Sequence, residues 1–336
     1  MLRFAAIGLD HGHIVDQIGG LLAAGAVCAG YDPETSDPLV LGYVQKNFPD
    51  LQPVARERLL DDPTIDLICT AAIPRDRAGI AIDAMTRGKD VMSDKPGALT
   101  LDQLDAIRRT VAETGRLYSV SFTERFSVPS ALVAAKLVVD GAIGRVVQTV
   151  GLGPHRLNRA IRPAWFFDTD AGGGILTDIA AHQFDQFLFY TGSKTAEIVA
   201  STVGNFGTPE NPDFNDFGDV MLRSDHATGY ARVDWFTPDG LPTWGDGRMT
   251  LLGTEGYIEL RKYVDIEGRP GKDHLFIADR AGTRYIDCSG EPLIYYRQII
   301  EDVRERTETA CPMEHTFEAT RLSIVAQSAA RRMIVA

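Results

Sequence analysis

Asp178 and His182 stand four residues apart in the stretch Gly172-Gly173-Gly174-Ile175-Leu176-Thr177-Asp178-Ile179-Ala180-Ala181-His182-Gln183-Phe184-Asp185. Three glycines followed by Ile175, Leu176, Ile179, Phe184, Phe187 and Leu188 predict a flexible entry into one amphipathic helix that runs to Gly192. On such a helix the two side chains share a face one turn apart. A carboxylate beside an imidazole is a proton-transfer pair: the Asp orients the ring and stabilises its protonated form, which suits a general base near neutral pH. A second chemical group is Lys95, in Lys89-Asp90-Val91-Met92-Ser93-Asp94-Lys95-Pro96, where an ammonium at the end of a strand can donate to a substrate oxygen. Short motifs of this kind also arise on ordinary helices and turns, so their weight depends on the elements that position them.

Those elements read as a nucleotide-type fold. Arg3 to Ile7 is a short apolar strand ending at Gly8, and Ile14, Ile18, Leu21 and Leu22 give the helical spacing that follows. Ala26 to Tyr31, Ile65 to Ala72, Asp90 to Ser93 and Leu117 to Phe122 are further strands, separated by helical patterns over 36–48, 78–87 and 101–114. Short apolar strands alternating with helices imply a doubly wound parallel sheet, an α/β Rossmann domain over 1–122. After Phe122 the pattern becomes a helix over 129–139 and then long alternating strands, with closing helices over 291–306 and 317–333. This predicts a second, α+β domain over 123–336 built on a large, mostly antiparallel sheet.

The first turn, Gly8-Leu9-Asp10-His11-Gly12-His13, lies where a dinucleotide's pyrophosphate meets a helix N-terminus. In the G-x-G-x-x-G register only Gly8 is kept. Asp10 takes the second glycine position, where its charge repels pyrophosphate unless it turns away to cap the next helix, and His13 takes the third. Asp32, at the end of the second strand, fits the acidic residue that bonds an adenosine ribose and disfavours a 2′-phosphate, which points to NAD before NADP.

Composition narrows the ligands. A formal charge of −12 disfavours sequence-independent nucleic-acid binding and anionic membrane surfaces, leaving small molecules. No apolar run is long enough to span a bilayer and the first strand lacks a secretory pattern, so the cytoplasm is the expected compartment. Cys28, Cys69, Cys288 and Cys311 have no paired spacing and read as reduced and structural. No metal site is expected from His11, His13, His155 and His182, which lack a closed ligand spacing.

Taken together, the Gly8 turn, Asp32, Asp94-Lys95-Pro96, Gly141-Ala142-Ile143-Gly144-Arg145 and the Gly172 to Asp185 stretch resemble the glucose-fructose oxidoreductase, inositol dehydrogenase and rhizopine-catabolism (Gfo/Idh/MocA) family. The resemblance spans nearly the whole chain. It implies that Lys95, Asp178 and His182 are a catalytic trio, that a cis bond joins Lys95 to Pro96, and that the free face of the second sheet forms a homodimer or homotetramer. Gly8, Asp10, His11, Gly12, His13, Asp32, Ala72, Pro74, Asp94 and Lys95 are the expected cofactor contacts. Three departures stand out: Asp10 for glycine, Pro74-Arg75-Asp76-Arg77 in place of the family's Pro-Asn-containing loop, and Ala180 for a common glycine. Arg75 and Arg77 are candidates to restore the positive charge that Asp10 removes, with at least one expected to be an exposed helix-start residue.

Before the glycines lies the donor-rich loop 153–167, from which His155, Asn158, Arg162 and Trp165 are nominated with Lys95, Asp178 and His182 as contacts to a polyhydroxylated substrate. Trp235, Trp244, Asp246 and Arg248 are candidates to lie over the same site. The expected function is a nicotinamide-dependent oxidoreductase acting on a sugar, cyclitol or related polyol. The alternatives are a lyase or glycosidase that oxidises its substrate transiently, and a non-catalytic sugar- or nucleotide-responsive binding protein.

Overall fold

The structure is a computed structural model, described for residues 1–333. Its first half alternates β1 (Arg3–Leu9), α1 (His13–Ala23), β2 (Val27–Tyr31), α2 (Pro38–Asn47), α3 (Arg56–Asp61), β3 (Leu67–Ala71), α4 (Pro74–Thr86), β4 (Asp90–Asp94), α5 (Leu101–Thr114) and β5 (Tyr118–Ser121). The five strands form one parallel sheet in the order β2-β1-β3-β4-β5. Every residue of β3 and β4 is buried, as expected of strands covered by helices on both faces. The strand order reverses between β1 and β3, so their carboxyl ends open the crevice in which doubly wound folds bind ligands.

The second half begins with α6 (Thr123–Phe126) and α7 (Pro129–Val139), then β6 (Val146–Pro154), two single 3-10 turns, and the short helices α8 (Thr169–Gly172) and α9 (Ile175–Asp178). It continues through α10 (Ala181–Thr191), β7 (Glu197–Gly204), β8 (Phe217–Arg223), β9 (Thr228–Asp234), β10 (Arg248–Gly253), β11 (Tyr257–Arg261), β12 (His274–Asp279), β13 (Gly282–Asp287), α11 (Tyr295–Glu305), α12 (Met313–Ser328) and β14 (Arg331–Arg332). Nine strands pair in the order β13-β12-β11-β10-β6-β9-β8-β7-β14, antiparallel except at β6/β9 and β7/β14. The expected α/β plus α+β architecture is therefore present. The sheet's helix-covered face packs α7 and α10, while Met221, Leu252, Tyr257 and Tyr285 project from the other face.

Sequence periodicity missed α3 and the last three strands. Five of the six positions of β13 are exposed, Gly282 and the polar or aromatic Thr283, Arg284, Tyr285 and Asp287, so no apolar alternation marks it. The closing helices could not be placed from sequence; α11 packs on α1 of the first half, and α12 on α5, α9 and α10. Tyr295 stacks on Phe126 with centroids 4.0 Å apart, and its hydroxyl shares a hydrogen bond with Ser119. The peptide bond between Lys95 and Pro96 is cis.

Gly8 has φ +75°, and a Cβ there would lie 2.4 Å from Ala72 Cβ, so β1 can turn against β3 only without a side chain. Gly8→Ala is expected to lower stability by about 2 kcal/mol or more, through left-handed backbone strain and overpacking. Urea denaturation of the purified variant checks this.

Candidate active site

The carboxyl end of β4 delivers Asp94 and Lys95 in succession, and each is held by charge. Asp94 accepts from His13 Nδ1 at 2.9 Å and lies 3.5 Å from His11 Nδ1 and 3.1 Å from the Arg77 guanidinium. Burial alone would raise this carboxyl, but His13 and Arg77 outweigh it and hold Asp94 well below the usual carboxylate range. Arg77 is itself buried and donates to the carbonyl oxygens of Ala72 at 2.7 Å, Pro96 at 3.2 Å and Lys95. This corrects the role expected for it: Arg77 is an internal strut tying α4 to the Lys95-Pro96 turn, and its charge is spent on Asp94. Arg75 is the exposed residue of the two, beside Asp76. His11, His13 and Asp94 bring ligand atoms within 4.8 Å of one another. Arg77 on the same carboxylate makes a further cation there costly.

Lys95 Nζ donates to Asp178 Oδ1 at 2.5 Å, joining the parallel sheet to the glycine-rich segment. Burial would raise the Asp178 carboxyl, but the Lys95 ammonium prevails and lowers it. The single helix expected over this segment is not formed. Gly173 and Gly174 take positive φ, α9 stops at Asp178, and α10 starts at Ala181. The backbone between them tightens, with His182 N bonding Ile179 O at 3.3 Å and Gln183 N bonding Ala180 O at 2.9 Å. Asp178 thus meets Lys95, and the expected Asp178–His182 pair is replaced by a Lys95–Asp178 pair.

His182 is 2% exposed, its ring lies edge-on to Phe122 with centroids 6.4 Å apart, and its Nδ1 has no partner among the described residues. Burial lowers its pKa to about 3, against an upward pull from Glu124 and with Lys95, His13 and Lys262 adding to the fall. Sequence reasoning passed over Glu124. It is buried in α6, accepting from Lys262 Nζ at 2.7 Å and Gln183 Nε2 at 3.0 Å, and it lines the same cleft as His182. Its two main partners lie in α10 and just after β11, so no local spacing signals the group.

The cleft measures about 870 Å³ and is lined by His11, His13, Lys95, Glu124, His155, Asn158, Arg162, Asp178, His182, Trp235 and Trp244 among others. His155 packs between Trp235 and Trp244, and its Nδ1 bonds Gly153 O at 3.1 Å. Asn158 has left-handed backbone, φ +48°, at the start of a 3-10 turn. Arg162 donates to Leu157 O and lays its guanidinium over Phe166 and Trp235. Trp165 lines a smaller adjoining pocket with Pro74, Arg77 and Asp178, and its buried Nε1 has no partner among the described residues. Asp246 and Arg248 do not join them: they pair with each other and line a separate hollow with Arg232 and Phe236.

The turn at the β1/β3 crevice fits a dinucleotide. Asp10 points away from the N-terminus of α1: its Oδ1 accepts from Ser36 N at 2.6 Å, Ser36 Oγ at 2.7 Å and Thr35 Oγ1 at 3.0 Å. It ties down the loop after β2 instead of capping α1, whose first amide, His13 N, donates to His11 Nδ1 at 3.3 Å. The backbone N–H groups of His11 and Gly12 make no hydrogen bond to the described residues, which leaves two donors for an anion. Asp32 stands at the end of β2 with Oδ1 accepting from Glu34 N at 3.2 Å, and Ala72 and Pro74 follow β3 on the other side of the crevice.

Residues 33–122 match the oxidoreductase family with an NAD-binding Rossmann fold, and residues 132–259 match the GFO/IDH/MocA C-terminal domain. The first match begins after β2, one residue beyond Asp32, so the Asp10-bearing turn lies outside it. A solved structure from Erwinia carotovora atroseptica SCRI1043, named only as an oxidoreductase, is 47% identical with a TM-score of 0.96, covering 99% of this chain and 100% of that one. The scyllo-inositol 2-dehydrogenase (NAD(+)) of Bacillus subtilis (strain 168) is 28% identical over 66% of this chain and 64% of its own length, so the match spans less than two thirds of that protein. The scyllo-inositol 2-dehydrogenase (NADP(+)) of the same strain is 22% identical over 83% of this chain and 81% of its own.

The His182 pKa of about 3 lies below that of an unfolded histidine, about 6.5. The unfolded chain therefore binds a proton that the folded chain refuses, and stability is lost as pH falls from about 6.5 toward 3. Urea melts at pH 7 and pH 5.5 should show wild type losing about 1 kcal/mol more than His182→Gln. Equal losses would contradict a neutral, buried His182.

Proposed function

The chain belongs to the Gfo/Idh/MocA family of NAD-binding oxidoreductases, and from that premise we propose that it transfers a hydride between nicotinamide and a hydroxyl or carbonyl carbon of a sugar, cyclitol or related polyol. The observation that carries the reading is the convergence of Lys95, Asp178 and His182 on one cleft beside the β1/β3 crevice. Gly8, His11, Gly12, His13, Asp32, Ala72, Pro74, Asp94 and Lys95 would hold the dinucleotide, with Asp10 contributing by keeping the loop after β2 clear of the α1 amides. When bound, the nicotinamide supplies the hydride-accepting carbon. Support for NAD over NADP comes from Asp32 at the end of β2, the acidic residue that bonds an adenosine ribose, with the Glu34 carboxylate near it adding to the repulsion of a 2′-phosphate.

The chain's own residues handle the proton and the position. Lys95, fixed by Asp178, donates to the substrate oxygen and favours the charge that develops there. His182, neutral and with a ring nitrogen lone pair, accepts the hydroxyl proton. His155, Asn158, Arg162 and Trp165 supply donors, and the aromatic faces of Trp235 and Trp244 cover ring C–H groups. The relatives named as inositol dehydrogenases accord with a polyhydroxylated substrate. The outward face of the nine-stranded sheet, with Met221, Leu252, Tyr257 and Tyr285 exposed, suits association into a homodimer or homotetramer. No described helix is long and apolar enough to cross a membrane, and four free cysteines accord with the reducing cytoplasm.

Calorimetry with NAD and NADP should show NAD binding the more tightly, and binding of neither would sink the proposal. On a polyol that supports formation of reduced nicotinamide, Lys95→Ala and His182→Ala are each expected to lower kcat by about 10²-fold or more. Unchanged turnover in either variant would remove that residue from the mechanism.

A further inference from the structure

Asp178 has its nearer oxygen committed to Lys95, which leaves open what fixes the ring of His182. A second carboxylate on the cleft wall answers this. Glu124 is 2% exposed and Lys262 is fully buried, and the pair is held as an ion pair by matching hydrogen bonds. Lys262 Nζ donates at 2.7 Å to both Glu124 Oε2 and Gln186 Oε1, and Gln186 Nε2 donates at 2.8 Å to the backbone oxygen of His182. Gln183, next to His182 in α10, donates to the same Glu124 oxygen at 3.0 Å. The network therefore grips the His182 backbone and turns Glu124 Oε2 inward. Three polar atoms of this set remain without a partner among the described residues, Glu124 Oε1, His182 Nδ1 and Gln183 Oε1, and the first two belong to residues that line the one cleft. One buried water between the first two would satisfy both, accepting from Nδ1–H and donating to the carboxylate oxygen.

We infer that Glu124 is the positioning residue for His182: through a bridging water it keeps the ring proton on Nδ1, leaving the Nε2 lone pair as the base. The other charged or titratable groups around the imidazole are Lys95, Asp178, His13 and Lys262. Three are cations or imidazoles that offer no carboxylate to Nδ1, and the Asp178 carboxylate is bonded to Lys95. A His whose tautomer is set by a neighbouring carboxylate presents its other nitrogen in a defined protonation state, as a general base requires. The inference rests on the oxidoreductase reading for its kinetic meaning but not for its structural content.

The experiment is 15N NMR of the full chain labelled at histidine, with the His182 signals assigned by their loss in His182→Gln. Near neutral pH, wild type should show one neutral imidazole with a protonated Nδ1 and an unprotonated Nε2. In Glu124→Leu/Lys262→Met, which removes both charges together, the Nδ1-protonated form should lose its dominance, and kcat should fall about tenfold or more with a smaller change in KM. A wild-type ring protonated on Nε2 overturns the inference even if the double variant fails to fold, as does a folded double variant with an unchanged tautomer. Absence of turnover on any polyol would sink the oxidoreductase reading and leave the tautomer result standing.

Discussion

The 2.5 Å contact between Lys95 and Asp178 is the interaction around which this molecule is arranged. It couples the end of a strand in the parallel sheet to a short helix between β6 and β7 of the mostly antiparallel one. Coulombic attraction in a half-buried setting is strong enough to organise both ends only if each is held by its own surroundings. Lys95 is held by Arg77, which grips its carbonyl and that of Pro96. Asp178 is held by the bracket of glycines before it, where Leu176 N bonds Gln327 of α12 at 2.9 Å. A helix near the chain's end thereby helps set the geometry at its centre.

Around this contact the protein buries charge in compensated sets. Asp94 faces Arg77 and His13, Glu124 faces Lys262, and Asp185 accepts two bonds from Arg125 and one from His315. Removing one partner from such a set strands the other, which costs several kcal/mol, whereas the intact set is nearly neutral in stability. What these pairs contribute is a fixed arrangement of positive and negative groups at the base of a cleft, with little freedom to rearrange when a ligand arrives.

The sequence made the fold legible because both halves obey strong periodic rules: buried apolar strands between helices, then alternating strands. The residues that line the cleft were legible where chemistry and chain position coincide, as at Lys95, His155 and Arg162. It misled where a three-dimensional partner overrode local spacing. Asp178 and His182 are correctly spaced for one helical face, yet the backbone breaks between them and Lys95, far away in sequence, claims the carboxylate. Arg77 looked like a surface cation at a helix start and is instead internal, because three carbonyls and Asp94 converge on it. Glu124 left no signal at all, since the lysine that keeps it ionised lies more than a hundred residues further along the chain.

The turn that carries Asp10 has a consequence for altering cofactor use. Asp10, Thr35 and Ser36 share four hydrogen bonds, three to the carboxylate and one from Thr35 to Leu9 O. They form one module in which an acid at the first turn is paired with two hydroxyl residues after the second strand. Transplanting a glycine into position 10 would remove the acceptor and release the neighbouring loop, so the familiar glycine pattern cannot be restored one letter at a time. Any redesign of this crevice has to exchange the three residues together.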